Sequence, residues 1–312
     1  MKKIYYIAVV FATLFLAGCG DGIDLPGVNV ETDLNKIPLP DNNVNLEQVE
    51  LKPSTEPMLH EGLHTEEDFQ RIRDKKAAGE EPWISAYQLL VESQFSQKTA
   101  DTYPTEWIKR GVSGDENYMN AARGATIVYQ QALRWKIEQD DEYAAKAVEN
   151  LNKWVQTCVG VTGNTNLSLA AGLYGYEFAI AGELLRDYGG WDRADFAAFQ
   201  NWLLKVFYPA NDDFLKRHHD TNALHYWANW CLCNIAAKMA IGIVTDRRDI
   251  YNEGIAHLQT GDTNGRLRRA IYHDYAPDYN FAQWQESGRD QGHTLMCVGL
   301  MGIICQLSLI HI

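Results

Sequence analysis

Apolar residues recur every three or four positions through most of this 312-residue chain, and this spacing is the feature that most restricts its fold. In one long segment Ala121, Ala125, Val128, Ala132 and Trp135 follow one another at helical intervals. No convincing run alternates apolar and polar residues, as a half-buried strand would. The sequence therefore predicts an all-α protein.

The predicted helices follow one another with short connections. The first begins at a capping sequence, Thr65-Glu66-Glu67-Asp68, and ends near Ala78-Gly79. Paired antiparallel helices joined by short loops favour an (α/α) toroid, in which inner helices alternate with outer ones. A solenoid of two-helix repeats is the alternative, but we find no repeat of fixed period. The other helices are expected over Trp83 to Phe95, Tyr118 to Glu138, Glu142 to Cys158, Leu167 to Tyr188, Arg193 to Phe207, Thr221 to Val244, Asp246 to Leu258, and from Gly288 onward.

The N-terminus has the pattern of a lipoprotein signal peptide. Lys2 and Lys3 precede an apolar stretch that is too short to span a bilayer. The following Leu16-Ala17-Gly18-Cys19 resembles a bacterial lipobox, in which the cysteine is lipidated and becomes the mature N-terminus. An ordinary secretory signal with a chance cysteine is the alternative. We therefore expect a signal peptide over residues 1–18 and a lipid anchor on Cys19 outside the cytoplasm, in the periplasm or at the outer membrane or cell surface.

Residues 19–58 have the composition of a flexible tether. They are rich in Asp, Asn, Gly and Pro and show no sustained period, so they bury too little apolar surface to fold alone. Residues 59–312 are enough for one large domain with its own core. Because this domain stops within an apolar helical run without a cap, we expect it to be truncated at the C-terminus and the toroid to be incomplete.

Charge and cysteine spacing argue against two classes of partner. The net charge of −13 disfavours nucleic acid, whose phosphates are neutralised by Lys and Arg. A polyanionic ligand would need a locally basic cleft. Metal binding is not expected, because no Cys-x-x-Cys spacing is present. No protein partner is predicted. The cysteines beyond Cys19 are expected to be buried free thiols, namely Cys158, Cys231, Cys233, Cys297 and Cys305.

A polar run interrupts the apolar pattern late in the chain. It reads Gln283-Trp284-Gln285-Glu286-Ser287-Gly288-Arg289-Asp290-Gln291-Gly292-His293, and an apolar helical stretch follows it. Burying so many hydrogen-bonding groups is unfavourable unless each is paired, so the run predicts a site. On a helix Glu286, Arg289 and His293 would share one face. An ion-pair network that caps the helix is the alternative.

A second polar segment, His218 to Trp230, opens another apolar helix. If the helix starts at Thr221, then Asn222, His225 and Asn229 share a face and could bind a ligand carboxylate. A histidine on such a helix is more often structural. A metal site built from the histidines of this segment would have no recognised ligand spacing.

Three parts of the sequence together resemble bacterial alginate lyase-domain proteins. They are the run 283–293, the segment 222–230 and the stretch from His64 to Phe69, and the most specific is Glu286 to His293. Those proteins are α/α-toroid polysaccharide lyases that act on alginate or glucuronan, and the resemblance covers about residues 55–305. The resemblance implies an anionic polysaccharide as substrate, with alginate first and glucuronan second. No metal or other cofactor is required.

The resemblance also implies β-elimination at a 4-linked uronic acid. An Asn/His/Arg set holds the C5 carboxylate, a Tyr or His removes the C5 proton, and a Tyr protonates the departing O4. Donors that neutralise the carboxylate make an enolate-like intermediate accessible, as an oxyanion hole does. The catalytic candidates are Asn222, His225, Arg289, His293 and Tyr279, and the substrate-binding candidates are Asn229, Tyr226, Trp230, Gln283, Glu286 and Gln291.

The identity of the base stays open among His225, His293 and Tyr279. In the better-known helical alginate lyases the catalytic Asn and His are adjacent, whereas Asn222 and His225 are three positions apart. Their catalytic Tyr follows the Arg, but no Tyr follows Arg289 in this chain. Tyr279 is therefore a candidate because of its closeness in sequence.

Two other functions remain open. A glycoside hydrolase on a similar toroid would need two carboxylates about 5–10 Å apart, and Glu286, Asp290 and Asp220 could supply them. A non-catalytic glycan-binding lipoprotein would explain the anchor and the many Trp and Tyr residues, on which sugar rings could stack. It would leave the polar run 283–293 unexplained.

Overall fold

The computed structural model describes residues 58–275 and 282–311, with side chains as far as Leu309. The predicted signal peptide, Cys19, Tyr279 and the predicted tether up to residue 57 lie outside the described residues. The described chain is mostly helical, as predicted, and has the all-α toroid fold.

The helices largely follow the predicted order. The first starts at a capping box in which Thr65 and Asp68 exchange hydrogen bonds, as the sequence predicted. Two helices were not predicted: Tyr208–Arg217, which has Pro209 in its first turn and directly follows the helix ending at Val206, and the short helix Leu267–Ala270. The helices are α1 (Glu66–Ala77), α2 (Trp83–Glu92), α3 (Tyr118–Glu138), α4 (Asp141–Thr157), α5 (Leu167–Leu184), α6 (Arg193–Val206), α7 (Tyr208–Arg217), α8 (Ala228–Val244), α9 (Arg248–Thr260), α10 (Leu267–Ala270) and α11 (Gln291–His311).

Three pairs of helices form antiparallel hairpins. In the first, Gly124 near the start of α3 lies against Trp154 near the end of α4, while Arg134 near the end of α3 bonds to Tyr143 near the start of α4. Helices α5 and α6, and then α8 and α9, run against each other in the same way. Their contacts pair Gly175 with Phe207, Gly182 with Phe199, Gly242 with Tyr251 and Gly254 with Met239.

The helices α3, α5, α8 and α11 pack side by side and run in the same direction. Between α3 and α5, Thr126 bonds to Glu177 at 3.0 Å, and further along both chains the rings of Trp135 and Tyr188 lie 5.5 Å apart. The other neighbours keep the same order. Between α5 and α8, Gly172 lies against Cys233, and further along the chain Arg186 donates to the carbonyl of Val244. Between α8 and α11, Cys297 lies beside Asn229. Further along both helices, Tyr251, which lies against Gly242 of α8, donates to the carbonyl of Leu307. These four are the inner helices of the toroid.

Short strands precede three of the inner helices. Strands β1 (Trp107–Arg110) and β2 (Gly160–Gly163) pair in parallel before α3 and α5. Strands β3 (Ile271–Asp274) and β4 (Ala282–Trp284) pair antiparallel before α11. Three or four residues are too few to show an alternating pattern, so these strands could not be predicted.

Among the described residues, one side of α11 is packed against α8 and, through Leu307, against Tyr251 of α9. Leu295 and Leu309 are exposed, and Cys305 is exposed as well, so the prediction that Cys305 is buried was wrong. The other four described cysteines are buried free thiols, as predicted. By length and composition alone, the stretch Gln291–Leu309 could cross a membrane, a property that core helices of soluble proteins share.

Candidate functional site

The four inner helices begin at one end of the toroid, which we call the N-terminal face. Their first residues are Tyr118, Leu167, Ala228 and Gln291. Each predicted site residue that the structure describes lies on this face, in the first turn of an inner helix or in the segment before it. The parallel packing therefore brings two segments together that are about 60 residues apart in the sequence.

The segment before α8 is not the helix that the sequence predicted. It is a turn from Thr221 to Trp227, and the helix begins at Ala228. Asn222, His225 and Asn229 therefore do not share a helical face. Asn222 and His225 are exposed, whereas Asn229 is buried in the first turn of α8.

Local hydrogen bonds explain why this segment avoids the helix. The Asn222 side chain accepts from the backbone N–H of Leu224 at 2.9 Å, and the Thr221 hydroxyl donates to the carbonyl of His218 at 2.6 Å. Such side chains compete with helical hydrogen bonding. The preceding residues His218, His219 and Asp220 all have positive φ angles, between 51° and 59°. Consecutive left-handed residues other than glycine are strained and occur most often at functional sites.

An aromatic cluster holds this strained turn. The Tyr226 ring lies 4.7 Å from Trp230 and 4.9 Å from His225, measured between ring centroids. His219 packs edge-on against Tyr226 and exchanges a hydrogen bond of 2.9 Å with Ser168 at the start of α5. His219 thus belongs to the site, although the sequence suggested it only as a possible metal ligand. These contacts hold His225 at the surface of the N-terminal face.

The polar run before α11 also differs from prediction. Glu286 has a φ of 65° and lies in a turn, and the helix begins only at Gln291. Glu286, Arg289 and His293 therefore do not share a helical face. Instead Arg289 Nη1 donates to the buried Glu286 carboxylate at 2.8 Å. Asp290 accepts a hydrogen bond from the backbone N–H of His293 at 2.8 Å. Asp290 is therefore the N-cap of the helix that begins at Gln291.

Asp290 also orients the imidazole of His293. Its Oδ2 atom lies 2.6 Å from His293 Nδ1. The hydrogen bond from the His293 backbone lowers the pKa of Asp290, which keeps the carboxylate ionised. With Nδ1 bound to a carboxylate, Nε2 of the neutral ring is the nitrogen that can accept a proton.

Two side chains that were not among the predicted site residues connect the two segments by hydrogen bonds. Gln285 Oε1 accepts from the backbone N–H of Ala228 at 3.2 Å, and its Nε2 donates to Asn264 at 2.9 Å. Asn264 in turn donates to the carbonyls of Leu224 and Tyr226, at 3.1 and 2.8 Å. Gln285 thus connects the turn before α8 to the run before α11. Asn and Gln side chains connect loops of many kinds. No sequence pattern therefore identifies Gln285 and Asn264 as the residues that connect these two segments.

The remaining predicted residues lie around these two segments. Gln283 in β4 accepts from the hydroxyl of Tyr275 at 3.2 Å, and Gln291 is exposed at the start of α11. The buried Cys297 thiol donates to Glu286 at 3.6 Å, and burial together with that carboxylate raises its pKa to about 12. Within residues 58–275 and 282–309 no group of three His, Cys, Asp or Glu side chains is placed to hold a metal ion.

Comparison with known proteins identifies the family. A family model described as Alginate lyase matches residues 72–271, from within α1 to the first residue of β3. The match includes Asn222, His225 and Asn229, whereas Arg289 and His293 lie beyond it. No curated protein matches the chain. The family match covers well over half of the sequence, so this protein belongs to the alginate lyase family of polysaccharide lyases.

Proposed function

We propose that this protein cleaves a 4-linked polyuronate by β-elimination, with alginate as the first candidate substrate and glucuronan as the second. The observation that carries the proposal is the common direction of the four inner helices in a chain of the alginate lyase family. A helix N-terminus carries partial positive charge and unpaired N–H groups, both of which favour anions. A face on which four such ends meet suits a polyanion in spite of the net charge of −13.

Exposed aromatic side chains support a saccharide as the ligand. Trp227 is 53% exposed directly before α8, and Tyr272 in β3 is 70% exposed. Trp107 in β1 is also exposed and lies over Gly160 of β2. Exposed aromatic rings on a polar face provide apolar surfaces on which sugar rings can stack.

The roles follow from the chemistry of a proton next to a carboxylate. Removing that proton adds negative charge to an anion, so cationic and N–H donors must first neutralise the carboxylate. Arg289 is half-exposed while its Nη1 contacts Glu286, so it can also bind a substrate carboxylate. Asn222 and His225 are exposed and can add donors. We assign Asn229 a structural role at this face, because it is buried in the first turn of α8.

Among the candidate bases, the structure favours His293. Its imidazole is oriented by Asp290, as a general base is commonly oriented by a third group, and it lies in the first turn of α11. His225 is the second candidate, and its ring packs edge-on against Tyr226. Tyr279 stays a candidate outside the described residues, both as a base and as the acid that protonates O4.

The test is the ultraviolet absorbance of the unsaturated uronate, measured during incubation with alginate and separately with glucuronan. Wild-type protein should produce this signal with one of the polymers. The Arg289→Ala variant should lose about two orders of magnitude in kcat/KM, as expected when a donor to developing negative charge is removed. Arg193→Ala is the matched control, because Arg193 is exposed on an outer helix whose start lies at the opposite end of the toroid.

Other products would point to other functions. New reducing ends without ultraviolet absorbance would identify a glycoside hydrolase, and binding without any product would identify a glycan-binding lipoprotein. An Arg289→Ala variant with full activity would remove Arg289 from the mechanism.

We further propose that a lipid on Cys19 anchors the protein outside the cytoplasm, in the periplasm or at the outer membrane or cell surface. This rests on the lipobox-like sequence Leu16-Ala17-Gly18-Cys19. Fractionation of cells that make the protein tests it, and recovery in the soluble cytoplasmic fraction would contradict it.

A further inference from the structure

Arg110 is an arginine of the N-terminal face that points toward the inner helices. It is the last residue of β1 and pairs with Gly163 of β2. Side chains of a strand alternate between its two sides, so Arg110 lies on the same side as Ile108, which is fully buried. Gly163 has a φ of 142°, and a Cβ atom there would collide with the backbone of Arg110. Only glycine allows this close pairing, which fixes the backbone of Arg110.

The guanidinium of Arg110 lies at the start of α3 and near one residue each of α5 and α8. Its central carbon is 4.7 Å from the ring centroid of Tyr118, the first residue of α3, which is a cation–π distance. Burial raises the pKa values of Tyr174 in α5 and Cys233 in α8, and the positive charge of Arg110 opposes both shifts. Arg110 is therefore near α5 and α8 as well as α3.

This guanidinium lacks an anionic partner, in contrast to other cations of the N-terminal face. Arg289 is paired with Glu286 at 2.8 Å, and Lys109 with Asp115 at 2.5 Å. Among the described residues, no carboxylate lies within ion-pair distance of Arg110, and its buried Nη1 atom has no hydrogen-bond acceptor. A buried donor without an acceptor is unfavourable, and a bound anion would remove this cost.

We propose that Arg110 is a second carboxylate-binding residue, which holds a uronate of the bound polymer at a subsite separate from that of Arg289. This inference rests on the proposed function, because it takes a polyuronate as the ligand. Tyr118 orients the planar guanidinium from one side, so its edge can form two parallel hydrogen bonds to a carboxylate. In a chain of uronic acids each residue carries one carboxylate, and two separate arginines can bind two of them at once.

The experiment is calorimetric titration of the full chain with uronate oligosaccharides of increasing length. We expect Arg110→Ala to bind long oligosaccharides roughly 10- to 100-fold more weakly than wild type, which corresponds to the loss of a charge-assisted hydrogen-bonded pair. The shortest oligosaccharides, which occupy one subsite, should lose less affinity. In turnover assays the effect should fall on KM rather than on kcat, because Arg110 is assigned to binding away from the reacting atoms.

Matched variants separate charge from packing. Arg110→Lys keeps the charge but not the two-pronged geometry, and Arg110→Met keeps only the apolar stem over Tyr118. Affinity should fall in the order Arg, Lys, Met, while melting temperatures identify any variant that fails to fold. Arg193→Ala, on the outer helix α6, should bind like wild type.

The outcomes distinguish this inference from the proposed function. Equal affinity of wild type, Arg110→Met and Arg110→Ala for long oligosaccharides would overturn the role of Arg110 even if the protein is a lyase. Tight binding that depends on Arg110 but yields no unsaturated product would support the subsite and overturn the lyase. A wild-type protein that binds no uronate oligosaccharide at all would overturn both.

Discussion

Glu177 carries a carboxyl group at the contact between two inner helices, α3 and α5. Its Oε1 atom accepts from the Thr126 hydroxyl at 3.0 Å, and the hydroxyls of Tyr129 and Tyr176 are electrostatic neighbours. Burial raises the pKa of Glu177 to about 8, and the Thr126 hydrogen bond opposes this shift. The carboxyl group is therefore protonated in the folded protein at neutral pH, whereas it is ionised in the unfolded chain.

The pH dependence of stability follows from this difference. Because the folded-state pKa is the higher one, the group stabilises the fold fully below about pH 4.5 and ceases to do so as the pH rises through 8. Each unit of pKa difference corresponds to about 1.4 kcal/mol. Glu177→Gln should therefore unfold at a higher temperature than wild type at pH 9, and the difference should shrink toward pH 5. Thermal melts across this range would measure it, and a pH-independent difference would contradict the assignment.

At the level of helices and strands, boundaries were predictable where a side chain caps a helix within a few residues. The capping pair Thr65 and Asp68 correctly predicted the start of α1. A long run of apolar residues at helical spacing predicted α3 with its observed limits. The starts of α8 and α11 were placed too early because Asn222 and Arg289 lie in turns. Contacts that are distant in the sequence stabilise those turns, among them the bond of Gln285 to Ala228. The sequence thus singled out the two segments that lie next to each other before α8 and α11. It did not predict that both segments are turns rather than helices.

The connection through Gln285 gives a prediction for these two segments. Gln285→Ala would leave the Ala228 N–H, the Asn264 amide and the Arg269 carbonyl without their present partner. Unpaired buried groups cost about 1–3 kcal/mol. We expect a lower melting temperature and a larger proportional loss of polyuronate cleavage. Gln88→Ala is the control, since Gln88 is exposed on α2 and should change neither quantity. If both variants behave like wild type, Gln285 does not position the site.

For the whole molecule, close approach of the inner helices decides whether the N-terminal face is assembled. Gly172 of α5 allows α8 to approach, because a Cβ atom there would lie 2.5 Å from Cys233 Sγ. Gly172→Val should therefore reduce the free energy of unfolding by about 1–3 kcal/mol through overpacking. Gly302→Ala on α11 is the matched control: a Cβ atom there meets no other atom within 4 Å, and alanine favours the helix by up to about 1 kcal/mol. Chemical denaturation measures both, and equal stability of the two variants would contradict the packing argument.

The shared direction of the inner helices is also electrostatically unfavourable for the protein without ligand. Four macrodipoles that lie side by side and point the same way repel one another, and their positive ends are crowded at a single face. Intervening outer helices such as α4 and α9 run the opposite way and cancel part of this repulsion. A polymer with one negative charge per sugar would neutralise the remainder, as counterions do for a charged surface. Under the proposed function, a bound polyuronate would therefore act as an electrostatic component of the folded toroid.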